Sequence, residues 1–445
     1  MDENELQAPD NSEAKEKMLS FMHETTKQTP VNKRKLVRRT VITAFSALVF
    51  GVVACFTFLI LEPVISNWLY PEEITKVKFP EEEDEVLPEE MLTENTLQQE
   101  LHDDIMQQVE EMTSQGMEQS FTADSYEQLY KSLKDVADEA GAYMVTVKSK
   151  ISEIDWMQDT IEKEDMASGV IVADNGVEYL ILADTAGLSN VEAYSVSFST
   201  GLTAQAELKG RHTPTGIGIF GVRHTDFSDT AKELIGIATL GNSGSGISVG
   251  QPIIAVGRPI GENDSVLYGI VSSKSTTLNL VDGVFRTIDT DMNDCEAAGG
   301  ALINMKGEVI GLLTDSARKN KSHSNISAIG ISDLKLLIEK LSNEEAVAYS
   351  GIRGMDVTKE AHDELDVPYG AYVTEVSMQS PCMEAGVLNG DIIVQMDETA
   401  INSFTDYKQA LLKKKPEESV TLRIKRFTGE QYTDMTVNLL LAEWK

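Results

Sequence analysis

Basic residues are scarce in this 445-residue chain: 38 Lys and Arg stand against 72 Asp and Glu, a formal net charge of −34. That balance excludes nucleic-acid binding, or binding to anionic membrane, through bulk charge. Cysteine is nearly absent too. Cys55, Cys295 and Cys382 are too few for a disulfide framework, and their number says little about redox compartment. No internal repeat occurs, and His212, His224 and His323 have neighbours without metal-ligand spacing, so they read as surface histidines. No metal or other cofactor is expected. The length suffices for two or three domains with sizeable cores.

Charge is missing altogether from Thr40 to Leu61, a run rich in Val, Ala, Phe, Leu and Ile. At about 1.5 Å per residue it would cross the roughly 30 Å hydrocarbon core of a bilayer. Lys33, Arg34, Lys35, Arg38 and Arg39 precede it, and Trp68 and Tyr70 follow it. The positive-inside rule then predicts a single transmembrane helix over 40–62, a cytoplasmic tail over 1–39 and the remainder outside the cytoplasm. A cleaved signal peptide fits less well, because the leader is long and no small-residue cleavage site follows. The lipid bilayer is thus an expected partner.

Residues 63–130 read as an acidic linker and an amphipathic helix. From 71 to 120 there are sixteen acidic residues against Lys76 and Lys78, a solvated, self-repelling pattern. Leu97, Leu101, Ile105, Val109 and Met112 recur at helical spacing within it. From about 142 to 330 the texture changes to short β-rich runs such as Tyr179-Leu-Ile-Leu182 and Pro252-Ile-Ile-Ala-Val256, separated by Gly, Asn, Asp and Ser. This spacing predicts an all-β barrel or sandwich. Ser332 is placed to N-cap a closing helix whose buried face is Leu334, Leu337, Ile338 and Leu341. Residues 346–441 form a further α+β module.

Five segments stand in a telling order: Ala167-Ser-Gly-Val-Ile171, Ala255-Val-Gly-Arg-Pro-Ile-Gly261, Ser265–Ser272, Thr290-Asp291, and Gly299-Gly300 with Gly307-Glu-Val-Ile-Gly311. Together they resemble the high-temperature-requirement (HtrA) family of membrane-anchored, trypsin-like serine proteases with a C-terminal PDZ domain. The resemblance covers roughly 130–441. It implies an all-β, chymotrypsin-like double barrel over 131–343, an α+β PDZ domain over 346–441, and a homotrimer.

The chemistry of such a protease requires a serine nucleophile, an imidazole base, an orienting carboxylate and an oxyanion hole. Aligned on the family's motifs, the histidine slot falls at Ala186, the aspartate slot at Gly216 and the serine slot at Ala298. Misalignment does not repair this, since no histidine occurs between His102 and His212 and no serine between Ser275 and Ser316. Glu296 stands where the family has a glycine that shapes the oxyanion hole, and a carboxylate there opposes oxyanion stabilisation. Gly241-Asn-Ser-Gly-Ser-Gly246 imitates a nucleophile motif but precedes the wrong strand, so it reads as a flexible loop. Cys295 has no base in the family's slot and reads as an ordinary small residue.

In the C-terminal module, Tyr349, Ser350, Gly351 and Ile352 stand where PDZ domains have their carboxylate-binding loop. Successive N–H groups there receive a peptide C-terminus while the peptide adds to the sheet edge. The expectation is a catalytically dead, extracytoplasmic pseudoprotease that binds peptide or protein C-termini in envelope protein quality control. Two rivals remain: an endopeptidase with displaced groups, such as Cys295 paired with a histidine, and an envelope stress sensor relaying PDZ binding through the anchor.

Overall fold

The structure, a computed structural model, describes residues 38, 41–55, 57, 75–80, 123–154, 160–188, 191, 194–319 and 324–444. Residues 1–72 and 73–445 form separate units. In the first, 41–55 and 57 are helical and exposed. Among the described residues no helix is long and apolar enough to cross a membrane; part of the 40–62 segment, and almost all of the 1–39 tail, lie outside the described residues. So does the helix expected over Leu97–Met112.

The helix that precedes the barrels is α1 (Ala123–Ala140), which sequence reasoning missed. Its signal was present: Leu133, Val136, Ala137 and Ala140 recur on one face and pack into the core. The first barrel follows, from β1 (Met144–Ile154), β2 (Thr160–Asp174), β3 (Glu178–Asp184), β4 (Tyr194–Phe198), β5 (Thr203–His212) and β6 (Ile217–Arg223), closed in the order β1-β2-β3-β6-β5-β4. Alternation in β4, buried at Tyr194, Val196 and Phe198, is the period-two pattern of a strand with one face inward.

After the short α2 (Asp229–Lys232) come β7 (Pro252–Arg258), β8 (Ser265–Ser273), β9 (Thr277–Leu280), β10 (Gly283–Asn293), β11 (Gly299–Ile303), β12 (Val309–Leu313), α3 (Asp315–Lys319) and β13 (Asn325–Gly330). Their order is β13-β12-β11-β7-β8-β10-β9, and a β13–β10 pairing closes six of them into a second barrel. The helix after it, α4 (Lys335–Ser342), buries Leu334, Leu337, Ile338 and Leu341 as expected. Ser332 does not cap it: a 3₁₀ turn over Ile331–Asp333 intervenes. The Ser332 N–H instead donates to Ser243 Oγ, while its Oγ accepts the Ser243 N–H. That exchange, with Asn242 Oδ1 accepting from Gly244 and Gly246, ties down the 241–246 loop.

The last domain has β14 (Ala348–Tyr349), β15 (Ile352–Asp356), α5 (Lys359–Leu365), β16 (Ala371–Val376), α6 (Pro381–Glu384), β17 (Ile392–Met396), β18 (Thr399–Ala400), α7 (Phe404–Leu412), β19 (Ser419–Phe427), β20 (Tyr432–Leu440) and β21 (Ala442–Glu443). Its sheet runs β15-β16-β17-β19-β20, with β15 at an edge. Ser403 and Asp406 form a capping box on α7, and Phe404, Tyr407 and Leu411 bury its inner face against this sheet's core. A stretch of the acidic linker, 75–80, is docked on the barrels: Val77 and Phe79 pack against the core, and their N–H groups donate to Asn343 and Glu339.

Candidate functional site

The end of β3 and the turn before β6 are pinned together. Thr185 donates both its N–H and its Oγ1 hydrogen to the Gly216 carbonyl, at 2.6 and 2.7 Å. Ala186 and Gly216 are therefore neighbours in space, although 30 residues separate them in sequence. Between them lies Asp184. Its Oδ1 accepts the Ala186 N–H at 2.9 Å and its Oδ2 the Asp315 N–H at 2.6 Å. Burial raises its pKa above the ordinary carboxylate value, opposed by those two N–H donors. Gly216 has φ +80°, and a Cβ built on it would fall 2.8 Å from Asp184 Oδ1. Asp184 thus fills the space that a side chain at Gly216 would need.

Asp184, Ala186, Ala298 and Gly299 line one cleft of about 480 Å³, together with Glu296, Arg258 and Arg318. Ala298 brings only a methyl group to this cleft. Within the loop, the Ala298 N–H donates to the Cys295 carbonyl at 3.1 Å. That N–H is thus engaged inside a turn.

Among the described residues no histidine lines this cleft. His212 is buried, which corrects its reading as a surface residue. Its Nδ1 lies 2.9 Å from Thr215 Oγ1, its ring packs 5.8 Å from Trp444, and burial lowers its pKa to about 3. His224 is half-buried beside Tyr179, 3.1 Å from Asp174 Oδ1. His323 lies outside the described residues. Cys295 Sγ rests 3.9 Å from the Pro259 carbonyl and is not among the cleft's lining residues.

The loop expected to take a peptide terminus has an occupant. Asp282, in the β9–β10 hairpin, is buried and reaches across to residues 350–352. Its Oδ2 accepts the Ser350 N–H at 2.7 Å, both oxygens accept the Gly351 N–H at 2.9 Å, and Oδ1 accepts the Ile352 N–H at 2.9 Å. Ser350 Oγ adds a donor at 2.6 Å and is itself bonded to Tyr407 Oη. Burial still raises the Asp282 pKa against these donors. Gly351, at φ +88°, has no room for a Cβ, which would meet the Ser380 side chain at 2.2 Å. Tyr349 faces Trp444 at 4.5 Å between ring centres and takes no part in the carboxylate contacts.

Residues 167–312 match the model of the trypsin-like peptidase domain, and residues 341–439 match that of the PDZ domain. A probable periplasmic serine endoprotease DegP-like of Halomonas elongata is 27% identical over 289 residues, 64% of this chain and 57% of the relative. The serine protease Do-like HtrB of Bacillus subtilis is 27% identical over 55% of this chain and 56% of its own. The chain thus carries a trypsin-like peptidase domain followed by a PDZ domain, and is similar to HtrA/Deg proteases. It spans little more than half the length of these two members. The solved HtrA-type protease AlgW with decapeptide shares the fold, with a TM-score of 0.50 and 20% identity over 70% of this chain and 98% of that one. A trypsin-like domain and a PDZ domain are both present, in that order along the chain. Asp184 and Asp282 are the two site residues that sequence reasoning did not find.

Proposed function

We propose that this HtrA/Deg-family chain binds polypeptides without cutting them, as a membrane-anchored, extracytoplasmic pseudoprotease with a peptide-binding PDZ domain that serves envelope protein quality control. The observation that carries this reading is the shared cleft of Ala186 and Ala298, with Asp184 standing where a side chain at Gly216 would go. An alanine methyl cannot attack a carbonyl, and among the described residues no imidazole lines the cleft to move a proton. The Ala298 N–H bonded within its own turn further weakens the case for oxyanion stabilisation. The extracytoplasmic placement draws on the charge-free 40–61 run and on relatives named as periplasmic.

The test is proteolysis of a fluorescent, reduced and unfolded protein by the purified full-length chain. The expected result is no turnover above buffer, and the same for Cys295→Ala. Turnover that co-purifies with the chain and is lost in Cys295→Ala would instead establish an endopeptidase with displaced groups.

A further inference from the structure

Asp282 engages the PDZ loop with more than its carboxylate. Its own N–H donates to the Ile352 carbonyl at 2.7 Å, while its side chain receives the N–H groups of Ser350, Gly351 and Ile352. One strand-type hydrogen bond to the edge strand β15, coupled to a carboxylate held by successive N–H groups, is how a chain terminus adds to such an edge. Two residues on, Val284 packs against the PDZ core. The Lys408 ammonium on α7 donates to the Val284 carbonyl at 2.8 Å and lies 4.5 Å from the Phe285 ring centre. Asp282 holds a left-handed φ of +59°, a conformation asparagine and glycine also adopt readily. A buried carboxylate needs such a set of donors to remain in place.

We infer that Asp282 is an intramolecular stand-in for a peptide C-terminus, and that free C-termini enter the PDZ loop only by displacing it. The ligand class is then a terminal carboxylate joined to an N–H able to meet Ile352. This inference rests on the peptide-binding reading above and adds its regulation: the unliganded loop is closed by the barrel's own hairpin. Occupancy by a peptide and docking of the hairpin are mutually exclusive.

The test uses the full-length chain in detergent, as wild type, Asp282→Gly and Asp282→Asn. Both substitutions suit the left-handed backbone, and asparagine keeps the side chain's size should the glycine variant fail to fold. Two quantities are measured: hydrogen exchange of the 350–352 amides, and anisotropy on titration with a fluorescein-labelled random nonapeptide pool bearing free C-termini, beside the same pool amidated. Exchange at 350–352 should rise at least tenfold in Asp282→Gly. The free-acid pool should bind that variant at least tenfold more tightly than wild type, with Asp282→Asn between them, and the amidated pool should bind none. Equal affinity of the free-acid pool for all three proteins would overturn the inference and leave peptide binding standing. Faster exchange with no binding of the free-acid pool to any variant would overturn the peptide-binding reading together with it.

Discussion

An aspartate at Gly216, the position proposed for the orienting acid, carries a cost that the local geometry sets. The φ of +80° puts a side chain in the left-handed region, which costs about 1–2 kcal/mol for an L-residue and somewhat less for aspartate. The new Cβ would sit 2.8 Å from Asp184 Oδ1, closer than real contacts allow, so the Asp184 carboxylate must leave. That breaks its bonds from the Ala186 and Asp315 N–H groups, together worth about 2–3 kcal/mol because the exposed Ala186 N–H can turn to water. Gly216→Asp alone should therefore cost about 3–5 kcal/mol. Asp184→Ala should cost about 2–3 kcal/mol by leaving the same two donors unmet. In the double variant the new carboxylate moves into the vacated space, so the two costs should fall short of their sum by about 2 kcal/mol, within the usual range for contacting residues. Urea unfolding of the four proteins of the cycle, read by circular dichroism, measures this. Additivity within 0.5 kcal/mol, or a cost of Gly216→Asp below 1 kcal/mol, would refute the claim that Asp184 occupies that volume.

The buried His212 has its pKa lowered to about 3, so its folded form resists protonation. The stability this protects is complete above an ordinary histidine pKa near 6.5 and is lost as pH falls from there towards 3, by about 2 kcal/mol at pH 5. Wild type minus His212→Gln in urea titrations at pH 7.5 and 5.0 isolates the effect, and a flat difference would contradict it. Lys408→Met should cost about 2–3 kcal/mol, because it removes the ammonium bonded to the Val284 carbonyl and lying 3.9 Å from Asp333; chemical denaturation reads it directly. The Cys382 thiol is pushed up to about 12 by burial and the nearby Asp282, so in a Cys55→Ser/Cys295→Ser background it should react with a disulfide reagent at pH 8 only as fast as the protein unfolds. Sedimentation should give the mass of a trimer if the family's assembly extends to this chain.

Strand texture and the order of Ala167–Ile171, Ala255–Gly261 and Gly299–Gly311 made both barrels legible, since period-two burial and turn residues are local signals. The slots proposed at Ala186, Gly216 and Ala298 rest likewise on neighbours in sequence. Asp184 was hidden because its role depends on a turn 30 residues away, and nothing local distinguishes it from any polar residue closing a strand. Asp282 gave half a signal. Asp282-Gly283 is a hairpin turn pair, but its partner loop begins 68 residues later, and only the docked domains bring the two together. Ser332 shows the opposite failure. It has the type and position of a helix cap, yet it exchanges hydrogen bonds with Ser243, far off in the chain.

The C-terminal residues carry a consequence for how the chain can be divided. Trp444 packs against the barrel core, near His212, and its N–H donates to the Val347 carbonyl, while Asp282 fills the loop at 350–352. A cut near residue 345 would therefore not release two finished modules. The barrel half would keep a hairpin whose carboxylate, Val284 and Phe285 had lost their cover, and the PDZ half would expose the ring of Trp444. Fragments made at that boundary should be less soluble than the whole and slower to refold, and would be poor stand-ins for it in any binding experiment.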